Sequence, residues 1–285
     1  MATLSETDKD TPRQQEQRLS MDSKASVDEQ MQPQDELDDS YRTFDEYMKM
    51  NGKPRLYSMQ KGICLVINMT EKRPGTTKDV AAIEKVFKEM DFEVITQTDK
   101  KKKDIEKALK QVASRGNAYN SVVCFILSHG NENEMKAADS TVPFIALFEI
   151  LKQSANLAGK PKIWFIQACR GHNIDEIHQD DFPYKENLTH KFPVEGDALY
   201  VFATAKGYVA SRHKEYGTIF IQTLCEILAD KTNRGKLFVS LLPHLNDFIA
   251  SKIIPCEKTK EMLQVIEFYS TLRGDLYFDT QSMSH

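Results

Sequence analysis

Two apolar runs of this chain end in residues able to carry nucleophilic chemistry. Val122 to Leu127 leads into Ser128-His129-Gly130, and Ile163 to Ile166 leads into Gln167-Ala168-Cys169-Arg170-Gly171. A thiol is the side-chain nucleophile that needs least activation at neutral pH, and a nearby imidazole can take its proton and later give one to a leaving amine. Gly130 and Gly171 flank the pair, which lets a substrate backbone come close and main-chain N–H groups point at a developing oxyanion. Taken singly, a cysteine at a strand end is more often a buried small hydrophobe and a histidine before glycine more often a loop residue. The combination carries the argument. A zinc site from His129, Cys169 and His172 lacks a second closely spaced ligand pair. Ser128 forms no serine dyad with His129, because adjacent residues of a strand face opposite ways.

For the two residues to act together, the 40 positions between them must return the chain on itself, and the apolar pattern supplies the means. Solid apolar runs at Ile63 to Ile67, Val122 to Leu127 and Ile163 to Ile166 read as strands buried on both faces of a largely parallel sheet. Helical spacing at Val80, Ile83, Val86, Phe87 and Met90, then at Ile105, Leu109 and Val112, and around Phe144 to Gln153, alternates with them. Phe92 to Thr96 reads as a strand, and Lys100 to Lys103 as a solvated turn before the second helix. Later come a strand at Leu199 to Thr204, helices at Thr218 to Ala229 and near Phe238 to Ile249, and strands at Leu263 to Tyr269 and Leu276 to Phe278. The expected fold is an α/β three-layer sandwich, a mostly parallel sheet flanked by helices and joined by right-handed crossovers. In such a sheet the carboxyl ends of the strands share one edge, where ligands bind. Neighbouring strands lie about 4.8 Å apart, so His129 and Cys169 meet there if their strands pair.

Composition narrows the function. The chain has 285 residues, a net charge of −4 and a pI near 6.0, which gives no global reason to expect nucleic acid. The longest apolar run has six residues, far short of the roughly 20 that span a membrane, and the polar amino terminus is unlike a secretory signal. A cytoplasmic location is the expectation, with no membrane partner. Five scattered cysteines without a CxxC pair read as reduced thiols. The 12 glycines never lie closer than ten residues apart, which excludes glycine-rich dinucleotide and phosphate loops. No cofactor or metal is expected.

Charge is uneven along the chain. Residues 1–40 carry 11 acidic and 4 basic groups with no aromatic residue, too little apolar surface to offset the entropy of ordering. Residues 1–55 therefore read as an acidic disordered leader and a transition, and the folded domain is expected from near Gly62. Residues 172–197 form a polar, proline-punctuated stretch, long for a structureless connection inside a domain and so expected to be functional.

Gln-Ala-Cys-Arg-Gly at 167–171 resembles the local signature of the caspases, whose histidine usually lies about 50 residues upstream rather than the 40 seen here. The resemblance runs from about Gly62 to Phe278, through GICLVIN, RPGTTKDVAA, FILSHG, GKPKIWFIQACRG, PVEGDALYVFATAKGY, FIQTLCEIL and DLYFD. It implies an aspartate-specific cysteine endopeptidase made as a zymogen and acting in programmed cell death, with Cys169 as nucleophile, His129 as general base and acid, and the N–H groups of Gly130 and Cys169 as oxyanion hole, without a side-chain third member. The pocket that selects aspartate falls on Arg73, Gln167 and Arg212, and paired guanidinium donors suit a carboxylate. Executioner caspases carry aromatics where this chain has Val209 and Ser211, so a fourth subsite that accepts an aliphatic residue is expected. Residues 56–171 correspond to the large subunit, 172–197 to the intersubunit linker with Asp175, Asp180 and Asp181 as candidate cleavage points for an upstream protease, and 198–285 to the small subunit. Asp22 and Asp39, each followed by serine, are candidates for removal of the leader, though acidic residues that only keep a tail soluble explain them as well. The short leader resembles the executioner type. A homodimer built on the late apolar strand is implied. A catalytically silent caspase-like regulator is the alternative, and a related clan that cuts after Arg or Lys is disfavoured by the pocket arginines.

Overall fold

Alternation within the apolar runs decides the architecture. In Ile63–Asn68, residues Ile63, Leu65 and Ile67 face one apolar layer while Cys64 and Val66 face another, and Val122–Leu127 and Lys162–Gln167 split in the same way. A strand that buries both faces needs helices on both sides. The computed structural model describes residues 54–173, 196–256 and 260–278, with four isolated positions before them (44, 48, 49 and 52).

The described residues from 54 onward form one compact unit. Its elements in chain order are β1 (Arg55–Tyr57), β2 (Ile63–Asn68), α1 (Thr76–Glu89), β3 (Glu93–Thr98), α2 (Lys102–Ser114), β4 (Val122–Leu127), the hairpin β5 (Glu134–Lys136) and β6 (Thr141–Pro143), α3 (Phe144–Lys152), β7 (Lys162–Gln167), β8 (Gly171–Asn173), β9 (Ala198–Phe202), β10 (Gly207–Tyr208), α4 (Ile219–Ala229), the short α5 (Lys231–Arg234), α6 (Phe238–Ala250), β11 (Ile254–Cys256), β12 (Lys260–Met262), β13 (Glu267–Ser270) and β14 (Gly274–Leu276). The central sheet has the order β13-β9-β7-β4-β2-β3. Every neighbouring pair is parallel except β13 with β9. Helices α1, α4 and α6 cover one face through Ile83, Phe87, Phe220, Leu224 and Leu242. Helices α2 and α3 cover the other through Ile105, Leu109, Leu147 and Phe148. The mostly parallel α/β sandwich expected from the sequence is the fold. Trp164 is buried against Phe148 and belongs to the core. Among the described residues no helix is long and apolar enough to cross a membrane.

Four expectations need correction. The fold begins before Gly62, because β1 pairs with β14, Arg55 opposite Gly274, and Tyr57 of that strand and Met59 just after it are buried in the core. Lys102 and Lys103 open α2 rather than precede it. Leu263 to Tyr269 is not one strand: Gln264 is buried, accepts from the Ser211 N–H at 2.7 Å and donates to the Ala203 carbonyl at 2.7 Å, so only Glu267–Ser270 reaches the sheet. The last strand is Gly274–Leu276 rather than Leu276 to Phe278, and Phe278 packs instead against Phe87 and Phe238. Of the stretch 172–197, His172 and Asn173 belong to β8, which pairs with β10, while residues 174–195 lie outside the described residues.

Candidate active site

The pairing of β4 with β7 sets the site. Leu127 stands opposite Gln167, and the Ser128 N–H donates to the Gln167 carbonyl at 3.1 Å. The same register continued by two residues puts His129 and Cys169 at the ends of adjacent strands. Ser128 turns away and donates its hydroxyl to the Lys136 carbonyl at 2.6 Å.

A compact turn after β4 fixes the histidine segment. The Lys136 N–H donates to the His129 carbonyl at 2.8 Å, and Asn131 Oδ1 accepts from the Asn133 and Glu134 N–H groups at 2.9 and 3.0 Å. Gly130 lies so near this turn that a Cβ would stand 2.6 Å from the Glu134 carbonyl. A Cβ on Gly171 would stand 2.1 Å from the Gly207 carbonyl across the β8–β10 pairing. Both glycines are thus required by the close approach of the protein's own backbone at these positions.

The loop from Met69 to Arg73 gathers the remaining groups. The Glu71 carbonyl lies 3.0 Å from His129 Nε2, the Lys72 carbonyl accepts from Arg212 Nη2 at 2.9 Å, and the Met69 carbonyl accepts a long 3.4 Å bond from Arg73 Nη1. Lys136 pairs with the Glu71 carboxylate at 2.9 Å and steadies that loop. With Nε2 donating to Glu71, His129 keeps Nδ1 as a free acceptor. Burial lowers the His129 pKa below its ordinary value, the Glu71 bond opposes this, and the charges of Arg73 and Arg212 lower it further. On balance these influences favour the neutral imidazole.

Arg73 is only 2% exposed and its Nε–H is buried without an acceptor. Burial and then the charge of Arg212 pull its pKa down to about 10. Burial lowers that of Arg212 as well. Gln167 is buried and its Nε2 donates to the Ser211 carbonyl at 3.3 Å. Cys169 is half-buried, with Sγ 4.0 Å from the Ala210 carbonyl. Neither the Gly130 nor the Cys169 N–H is taken by a backbone acceptor among the described residues. Val209 is half-buried and Ser211 buried, and Ser211 lines a cleft with Phe248 and Ile253. The structure thus gathers Arg73, His129, Gly130, Gln167, Cys169, Ser211 and Arg212. Asp22, Asp39, Asp175, Asp180 and Asp181 lie outside the described residues.

Sequence reasoning passed over three residues that hold the site. Arg170, 1% exposed, lies over the Phe202 ring at 4.1 Å and pairs with Glu267. Gln264 hid inside an apolar run. Asp79 is fully buried, and its sequence signal was legible: it falls four residues before Ile83 on the apolar face of α1. Among the described residues no three His, Cys, Asp or Glu side chains form a metal-ligand set.

A cysteine and a histidine set on adjacent ends of a buried parallel sheet, beside two arginines, place the molecule with the α/β cysteine peptidases. The caspase domain family model matches residues 61–277, and the chain belongs to the caspase family. It is similar to caspase-7 of Gallus gallus, 29% identical over 283 residues with 92% of this chain and 90% of the relative covered. It is likewise similar to caspase-3 of Mesocricetus auratus, 33% identical over 207 residues with 68% and 74% covered. Among solved structures, caspase-1 from Spodoptera frugiperda superposes with a TM-score of 0.69 at 26% identity, over 81% of this chain and 95% of that one.

Proposed function

We propose that this caspase-family chain is an active cysteine endopeptidase that cuts proteins after aspartate. The observation that carries this reading is Arg73, a guanidinium removed from water with a donor left unbonded. A second arginine, Arg212, lies close enough to depress its pKa. Arg73 is out of water, Arg212 beside it is half-buried, and the buried Asp79 carboxyl is the nearby opposite charge for both; a further anion between the two guanidinium groups offsets the remaining cost. An aspartate side chain offers both charge and two acceptor atoms, and each charge-assisted bond is worth about 1.5–3 kcal/mol.

The chemistry follows from the groups beside that pocket. His129 takes the Cys169 proton, Sγ attacks the carbonyl carbon of the aspartate residue, and the oxyanion is met by the Gly130 and Cys169 N–H groups. The imidazolium then protonates the leaving amine, and the acyl group stays on sulfur as a thioester. Water, deprotonated by the same imidazole, releases the acid and restores the thiol. The Glu71 carbonyl keeps the ring oriented, in place of a third side chain.

Around this core we assign the finer features by family likeness. The chain is made as a zymogen of the executioner type, with residues 56–171 as large subunit, 172–197 as a linker cut by an upstream protease at Asp175, Asp180 or Asp181, 198–285 as small subunit, and the leader trimmed at Asp22 or Asp39. Two copies pair through the outer edge of β13, the last strand of the sheet. The enzyme acts in the cytoplasm during programmed cell death. With Val209 and Ser211 where executioner relatives carry aromatics, the fourth subsite accepts an aliphatic residue.

Purified protein and its Cys169→Ala variant, each offered peptides with Asp, Glu, Asn or Lys before the scissile bond, test the reading. Cleavage after aspartate alone, abolished in the variant, is expected. Wild type that cuts nothing after its linker has been opened by an added protease favours a silent regulator instead.

A further inference from the structure

The pocket arginines come from distant segments, Arg73 from the loop before α1 and Arg212 from the turn before α4. One buried side chain joins the two. Asp79 has no exposed surface, and its Oδ1 accepts from the Thr218 N–H at 2.9 Å and from Gln222 Nε2 at 2.7 Å. Thr218 is the N-cap of α4, its hydroxyl accepting from the Ile221 N–H at 3.3 Å. Gly217, just before it, has φ +89° and packs so closely that a Cβ would lie 2.4 Å from the same carboxylate oxygen. The turn that Gly217 closes is bonded to itself, His213 N–H to the Gly217 carbonyl at 2.8 Å and Gly217 N–H to the His213 carbonyl at 3.2 Å, and Arg212 directly precedes it. At its other end the turn rests on Gly75, φ +88°, where a Cβ would stand 2.3 Å from the His213 carbonyl. Arg212 itself bonds the Lys72 carbonyl. Two like-charged groups without such a tie would move apart.

We infer that Asp79 is a positioning residue that fixes the separation of Arg73 and Arg212 by pinning the Arg212 turn to α1, and so sets how tightly an aspartate-bearing substrate is held rather than how fast Cys169 reacts. The inference rests on the aspartate-pocket reading above. A buried carboxylate suits the task because it accepts from a backbone N–H and an amide at once, which no apolar residue can do.

The test uses the full chain with Asp79→Ala, Asp79→Asn and Gln222→Ala, and reads kcat and KM on an aspartate peptide, the rate of Cys169 alkylation by iodoacetamide, and the thermal midpoint. Asp79→Ala is expected to raise KM about tenfold or more, with kcat and the alkylation rate within about twofold of wild type, because misplacement of a binding group by an ångström can cost that much. Asp79→Asn, which keeps the acceptor oxygen, is expected to recover most of the loss, and Gln222→Ala to raise KM by less. A folded Asp79→Ala protein with unchanged KM overturns the inference. A fall in kcat and in the alkylation rate that parallels the rise in KM overturns it too, since that marks general disorder, and so does an Asp79→Asn variant as impaired as the alanine. If Asp79→Ala does not fold, Gln222→Ala decides, an unmoved KM being the refutation. Failure of wild type to cut any aspartate peptide removes the pocket reading and this inference together, whereas wild-type cleavage with unmoved variants removes the inference alone.

Discussion

Tyr57 donates its hydroxyl to Asp197 Oδ1 at 2.6 Å across 140 residues of sequence. The same carboxylate takes a two-pronged contact from Arg273, at 3.1 and 2.6 Å, and the Arg273 N–H donates to the Tyr57 oxygen at 2.8 Å. One buried carboxylate thus ties the first strand, the segment before β9 and the end of the fold.

That tie makes stability sensitive to alkali. Burial first, and then the bond to Asp197, push the Tyr57 pKa from 10.0 up to about 12. The unfolded chain loses the phenolic proton first, so the stabilising contribution is complete below about pH 10 and is lost as pH rises toward the folded value. Urea unfolding at several pH values from 9 to 12 is expected to show wild type weakening across that window more steeply than Tyr57→Phe. Equal slopes for the two proteins would count against the tie.

His129 gives a second pH signature. Its lowered pKa means that the acid limb of the kcat/KM profile falls below about pH 6.5, the ordinary histidine value. A limb at or above neutrality would contradict the half-buried, arginine-flanked environment. His129→Ala is expected to lower kcat about 10²- to 10⁴-fold, measured with an aspartate peptide.

Glu267 on β13 carries a stability prediction. It is the carboxylate partner of Arg170, which is 1% exposed, has a 3.4 Å bond to the Thr204 carbonyl, and has a buried Nε without an acceptor. Truncation to Glu267→Ala strands that guanidinium and is expected to cost about 3–5 kcal/mol in urea unfolding. Arg170→Met combined with Glu267→Leu should recover much of the loss, because the buried charge leaves with its partner. A loss under about 1 kcal/mol for Glu267→Ala would mean that the Phe202 ring and the Thr204 carbonyl suffice.

The sequence by itself determined the layers of this protein and the reactive pair. Unbroken apolar runs such as Val122–Leu127 can be satisfied only by helices on both faces, and a strand's fixed direction then carries His129 and Cys169 to the same edge. The same local logic failed wherever a polar side chain outweighed its neighbours. Gln264 sits in a run that alternates well enough for a strand, yet its amide bonds Ala203 and Ser211 and pulls the backbone out of the ladder. Tyr57 belongs to the core because residues 140 and 216 positions away hold its hydroxyl. Asp79 lies on an apolar helix face, but its partners Thr218 and Gln222 are nearly half the chain distant. Periodicity records which face a residue turns toward the core, whereas a buried polar group is decided by the donor or acceptor it meets there, and only the tertiary structure brings the two together.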